Sequence, residues 1–300
     1  MEIGKNTMPD YRLSGPVFLR NLVVYPIQTN NRYSHRDDTF DKLNLFTIDE
    51  VVVSKRGEFL EHDKPDITEV IFDNKSDFPV VMLDGEEITG SLQNRIVTQS
   101  NLVEAMTSKD IPVVCVEEGR WEEIGGFKTG YCSYPGIRTI LSKSRHKKIN
   151  TQQIIWKEIN RKLTVTRTQS ATSSMHDIYD NLKEEVVRYV EDFQSFNHNT
   201  VGFIGIAGNR ILGCDFFQSP EIYGKFEHKL LRSYALDAIE YQKIRGNHPD
   251  AEKFLDSILD VLRKKRVGKT TSNIKIKDHG FFGQALVYHD DIIHLSAFPK

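Results

Sequence analysis

Phe78-Pro79-Val80-Val81-Met82-Leu83 runs into Asp84-Gly85-Glu86-Glu87, and Ile111-Pro112-Val113-Val114-Cys115-Val116 runs into Glu117-Glu118-Gly119-Arg120. Each is a short continuous apolar run, the pattern of a strand buried on both faces, and each ends in a carboxylate cluster. If the two strands share a sheet and point the same way, five acids and Arg120 gather at one rim; an antiparallel pair separates them. Further apolar stretches at 17–24, 45–53 and 70–72 surround these runs. Lys55-Arg56-Gly57, Asp73-Asn74 and Asp84-Gly85 punctuate them, where Gly or Asn tolerates positive φ. Residues 1–123 therefore read as a β-rich half, either a sandwich or a curled sheet.

The pattern breaks over 124–150. Glycines there are followed by Lys143, Arg145, His146, Lys147 and Lys148, and the segment reads as a long loop. Residues 151–300 read as a helical and mixed α/β half. Ile154, Ile155, Ile159 and Leu163 keep helical spacing, as do Ile178, Leu182, Val186, Val190 and Phe193 behind a Ser174 cap. Strands at 201–207 and 210–217 flank Gly208-Asn209, a tight-hairpin signal. Ser219-Pro220 opens a helix with the stripe Ile222, Phe226, Leu230, Tyr234 and Ala238, and another helix, ending in Arg263 to Arg266, follows His248-Pro249-Asp250. A final hairpin turning at Asp290-Asp291 would put Leu286, Tyr288, Ile293 and Leu295 on an apolar face and His289, His294 and Ser296 on the other. The fold class is α+β, with the two halves packed as one assembly.

Composition narrows the function classes. The chain has 300 residues, 39% hydrophobic and 27% charged, and a net charge of -2, so no global basic field would hold nucleic acid or an anionic membrane. Met1 to Asn6 lack a signal-peptide stretch, and no run of about 18 uncharged apolar residues appears, so a cytoplasmic protein without a membrane span is expected. Cys115 and Cys214 sit in apolar surroundings, whereas Cys132, in Gly-Tyr-Cys-Ser-Tyr-Pro-Gly, reads as a loop residue. Ten histidines show no metal-ligand spacing.

Between the two runs, Glu87, Thr89, Ser91, Gln93 and Arg95 alternate with Ile88, Gly90, Leu92, Asn94 and Ile96, a polar comb opposite a core face. Crowded carboxylates raise each other's pKa unless a cation relieves them, which suits proton transfer or a hard divalent ion. Glu86, Glu87 and Glu117 are accordingly the candidate acid/base groups, and Asp84 with Glu86 the candidate ligands for a divalent cation such as Mg²⁺ or Mn²⁺. Arg95 and Arg120 could clamp a carboxylate or phosphate, assisted by Gln93 and Asn94, with Trp121 as a stacking plane. The competing reading makes the same arginines internal salt bridges.

The segment from Met82 to Arg95, then Ile111 to Trp121, resembles the bacterial domain named for its association with ADP-ribosylglycohydrolases and rhodanese or phosphatase-superfamily proteins. Gly208 to Phe217, Leu230-Leu231-Arg232-Ser233-Tyr234-Ala235 and His294-Leu295-Ser296-Ala297-Phe298-Pro299 resemble its later blocks. Glu118 stands where family members often have Gln. The resemblance implies an ADP-ribose or phosphate context and supplies no catalytic residue set. Two readings follow: an enzyme acting on a small, anionic, nucleotide-derived molecule of ADP-ribose type, or a noncatalytic ligand-sensing or scaffold module. Either is compatible with a homo-oligomer.

Overall fold

The computed structural model describes residues 10–29, 44–64, 66–147, 149–244, 246–265 and 271–300. The N-terminal stretch 1–6, Lys148 and Arg266 lie outside the described residues. Strands β1 (Tyr11–Leu13), β2 (Val17–Leu19) and β3 (Leu22–Thr29) come first, and β4 (Phe46–Thr47) leads into helix α1 (Ile48–Val53). Then follow β5 (Gly57–Leu60), β6 (Glu69–Asn74), β7 (Val80–Met82), β8 (Glu86–Thr89), β9 (Arg95–Val97), β10 (Asn101–Val103), β11 (Thr107–Cys115) and β12 (Lys128–Cys132). Helices α2 (Pro135–His146), α3 (Thr151–Thr166), α4 (Met175–Asn181) and α5 (Lys183–Val190) precede the hairpin of β13 (Thr200–Ala207) and β14 (Arg210–Phe217). The chain closes with α6 (Pro220–Glu240), α7 (Ala251–Arg263), β15 (Ser272–Lys277), β16 (Phe281–Tyr288) and β17 (Asp291–Pro299).

Among the described residues the strands form three sheets. An eight-stranded antiparallel sheet runs β1-β3-β13-β14-β17-β16-β15 with β2 on β3, so the first strands of the chain join the last. One of its faces packs on α7 through Leu255, Ile258, Leu259 and Leu262, against Ile204, Leu295 and Ala297. Its other face packs on α2 and α6, and that core continues through Leu83, Ile96 and Val116 into the β-rich half. The smaller sheets, β10-β7-β4 and β12-β8-β9-β11-β6-β5, enclose a third core around Ile48, Phe72, Met82 and Ile111. The fold is α+β. Its α6 starts as its sequence dictates: Ser219 accepts from the Ile222 N–H, Pro220 occupies the first turn, and Ile222, Phe226, Leu230, Tyr234 and Ala238 are buried.

Four sequence expectations are corrected. Residues 45–53 are a two-residue strand and a helix, because Thr47 and Glu50 form a reciprocal capping box that starts α1. Residues 124–150 contain β12 and α2 rather than a long loop, and Cys132 is a buried strand residue whose thiol burial pushes up to about 12. The polar comb is not one strand: Gly90 and Ser91 take positive φ (103° and 45°) and fold it into the β8–β9 hairpin, so Glu87 pairs with Ile96 and Ile88 with Arg95. The last hairpin turns at His289-Asp290, both with positive φ, and a register shift places Leu286 opposite His294. His294 and Ser296 consequently point into the protein and are fully buried.

Candidate functional site

The two apolar runs end in different sheets, β7 in the three-stranded and β11 in the six-stranded one, and their acids do not converge on one cation. The β8–β9 turn, residues 90–94, is clasped from outside by Arg120. Its Nη1 donates to the carbonyls of Ser91 and Glu122, its Nη2 to Gly90 O and Asn94 Oδ1, and Nε and Nη2 both reach Glu117 Oε2. Glu117 Oε2 also accepts from the Asn94 N–H, its Oε1 accepts from Thr172, and Gln93 Nε2 donates to the Glu117 carbonyl. Burial would raise the Glu117 pKa, but Arg120 and these donors hold it below the usual carboxylate value. Gln93, Asn94, Glu117 and Arg120 are thus a saturated brace. Trp121, one residue on, is 55% exposed.

The remaining acids are also partnered. Asp84 is fully buried against Arg138, Ser100 and Ser296, and the same guanidinium holds Asp215, which His294 and Tyr234 also contact. Glu86 accepts from Lys229 Nζ at 2.7 Å and from the Leu83 N–H, and Lys229 also holds Asp49. Among the described residues no group of three or more His, Cys, Asp or Glu is placed to hold a metal ion.

Two of the residues singled out in the sequence retain unused hydrogen-bonding capacity: Arg95 at Nε and Nη2, and Glu87 at Oε1. Arg95 is fully buried, with Nη1 donating to Glu61 Oε2 at 2.9 Å and its guanidinium carbon 5.6 Å from the centre of the Phe127 ring. Glu87 is fully buried on the opposite face of the hairpin, where its Oε2 accepts from the Tyr131 N–H at 3.1 Å and contacts His176 Nδ1 at 2.8 Å. The fit is close: a Cβ on Gly130 would lie 2.3 Å from Glu87 Oε2. The His176 side chain is 31% exposed, with Nε2 3.7 Å from the exposed Asp180, whose carboxylate also accepts from Tyr131 OH. Tyr131 is pushed up to about 12 by burial and by Asp180, with Arg232 acting against them. His176 gave no signal in the sequence, because its partner lies 89 residues away.

The hydrogen bond from Glu87 raises the His176 pKa above its ordinary 6.5, outweighing burial. A raised folded value means stabilisation fully present below the unfolded pKa and lost as pH climbs through the folded one. The stability difference between wild type and Glu87→Gln is therefore expected to be larger at about pH 5.5 than at about pH 9, read from urea midpoints. A pH-independent difference would show that the pair does not hold the proton.

No helix of the described residues is long and apolar enough to cross a membrane. Neither curated proteins nor solved structures give a match to this chain. The family model of the ARG and Rhodanese-Phosphatase-superfamily-associated Protein domain does match it, over residues 10–298, which takes in the brace, the buried arginines and the His176 pair alike, and the chain belongs to that family.

Proposed function

We propose that this protein binds a small anionic molecule, nucleotide-derived as the family's association suggests, and moves a proton to or from it at the Glu87–His176 pair. The observation that carries the reading is a buried carboxylate bound to one nitrogen of a part-exposed imidazole whose other nitrogen lies 3.7 Å from the exposed Asp180. A carboxylate behind an imidazole fixes its orientation and raises its basicity, the arrangement a general base or acid needs. The Tyr131 ring lies 5.0 Å from that of His176, and the charge of the exposed Arg232 acts on Tyr131. Incubation with ADP-ribose, ADP and phosphate monoesters, with and without Mg²⁺ or Mn²⁺, followed by product analysis and calorimetry, tests it. His176→Gln is expected to keep binding and to lose turnover by roughly 10²- to 10⁴-fold. Turnover untouched by both His176→Gln and Glu87→Gln sinks the reading.

A second reading, a noncatalytic ligand-sensing or scaffold module, is favoured by the saturation of Arg120, Glu117 and Glu86 with internal bonds. Saturable binding without product in the wild type would establish it instead.

A further inference from the structure

The unused edge of Arg95 has a definite chemistry. The Nε–H and the Nη2–H beside it are parallel and spaced to meet two oxygens of one carboxylate or phosphate group. In Arg95 both are buried and without a partner, and leaving a charged donor unpaired inside a protein is costly. Among the described residues no neighbouring side chain supplies the oxygens. Phe127 offers only its ring, and Cys115, directly opposite on β11, brings to the guanidinium a thiol, a weak sulfur acceptor and no oxyanion. The carboxylate bonded to the guanidinium, Glu61, sits on Nη1, with its other oxygen accepting from Ser91 Oγ at 2.7 Å. Its side chain is 20% exposed while that of Arg95 is fully covered, so Glu61 is a part-exposed carboxylate bonded to a buried guanidinium.

We propose that Arg95 is a small-oxyanion site, in which two oxygens of a carboxylate or phosphate group take the Nε–Nη2 edge and the Glu61 side chain swings away from Nη1 and Ser91 to admit them. Glu61 and the incoming group compete for one positive charge, since both bound together would leave the buried site with a net negative charge. The site is on the hairpin face opposite Glu87, because Arg95 is paired with Ile88 and Glu87 with Ile96, and it stands whether or not His176 moves a proton.

The test uses the full chain titrated with sodium phosphate and, separately, sodium acetate at constant ionic strength against chloride, with calorimetry and the Arg95 Nε–H resonance as readouts. Saturable binding of one anion that shifts this resonance is expected. Glu61→Gln should tighten it on the order of tenfold by removing the competitor, and Arg95→Lys, which lacks the fork, should abolish it. Phosphate alone or acetate alone both support the site and name its ligand class. Absence of saturable binding to wild type and Glu61→Gln alike overturns the proposal, as does binding that Arg95→Lys leaves unchanged. Should Arg95→Lys not fold, the tightening by Glu61→Gln and the resonance shift decide. His176→Gln should leave this binding intact, which separates the site from the proton-transfer reading.

Discussion

Arg138→Leu is expected to destabilise the folded protein by roughly 3–5 kcal/mol, the cost of leaving buried charge without its partner. Arg138 lies on α2 and is fully buried. It forks into two carboxylates at once: Nε and Nη2 reach Asp84 at 3.2 and 3.1 Å, and Nη1 and Nη2 reach Asp215 at 2.8 and 2.6 Å. Burial would push Asp215 up, but Arg138 and His294 hold it far below the usual carboxylate range. A depressed folded value gives stability present above the unfolded pKa of 3.8 and lost as pH falls through the folded one. Leucine reverses the sign, since the two acids then lie buried side by side and fold best when protonated. The gap between wild type and variant should therefore narrow on acidification, and Asp84→Asn with Asp215→Asn in the Arg138→Leu background should recover part of the loss. Denaturant titration at two pH values measures both effects. A loss below about 1 kcal/mol would mean that water reaches the two carboxylates.

This hub marks where local sequence stops being informative. Asp84 stood out as part of an acidic strand end, yet its partners Arg138, Ser100 and Ser296 come from a helix and from loops or strands 16 to 212 residues away. Arg138 itself lies in a stretch read as a loop. The buried side of α2 is Pro135, Ile137, Arg138, Leu141 and Ser142, and two polar members blunt its apolar stripe. The signals that could have found α1 and α2 were in the chain: the Thr47 to Glu50 capping spacing, and Pro135 as a first-turn residue. By contrast α6 and the β13–β14 hairpin were legible, because a Ser-Pro start, a continuous apolar stripe and Gly208 with φ of 59° each act within a few residues. For the candidate site, Glu87 and Arg95 were read as polar residues on one face of a single strand, whereas they lie on the two paired strands β8 and β9. Their division onto two faces depended on the two left-handed residues of the turn, Gly90 and Ser91, and strict alternation carries no sign of such a turn.

Deleting residues 292–300 is expected to leave no cooperatively folded protein. β17 is an interior strand of the eight-stranded sheet, hydrogen-bonded to β14 on one side and to β16 on the other, so its loss opens two ladders and strands β15 and β16 away from the rest. Its side chains serve both cores: Ile293 joins the central one beside α6, and Leu295 and Ala297 join the one under α7. Phe298 packs over the Arg138 guanidinium, whose carbon is 5.0 Å from the ring centre. Ile293, Leu295 and Phe298 are fully buried and contribute roughly 1.5–3 kcal/mol each, against a total stability of typically about 5–15 kcal/mol. The same cut removes His294 from Asp215 and Ser296 from Asp84, so the ionic hub loses two of its hydrogen-bonding partners with the strand. Removal of Lys300 alone costs only a backbone bond to the Gly280 carbonyl and two peripheral Nζ contacts, and should leave the melting transition nearly in place. Size-exclusion chromatography and a thermal melt separate the outcomes: the longer truncation should aggregate without a sigmoidal transition. A monomer with the wild-type melting temperature would mean that β14 and β16 can close on each other, and that neither core needs the strand between them.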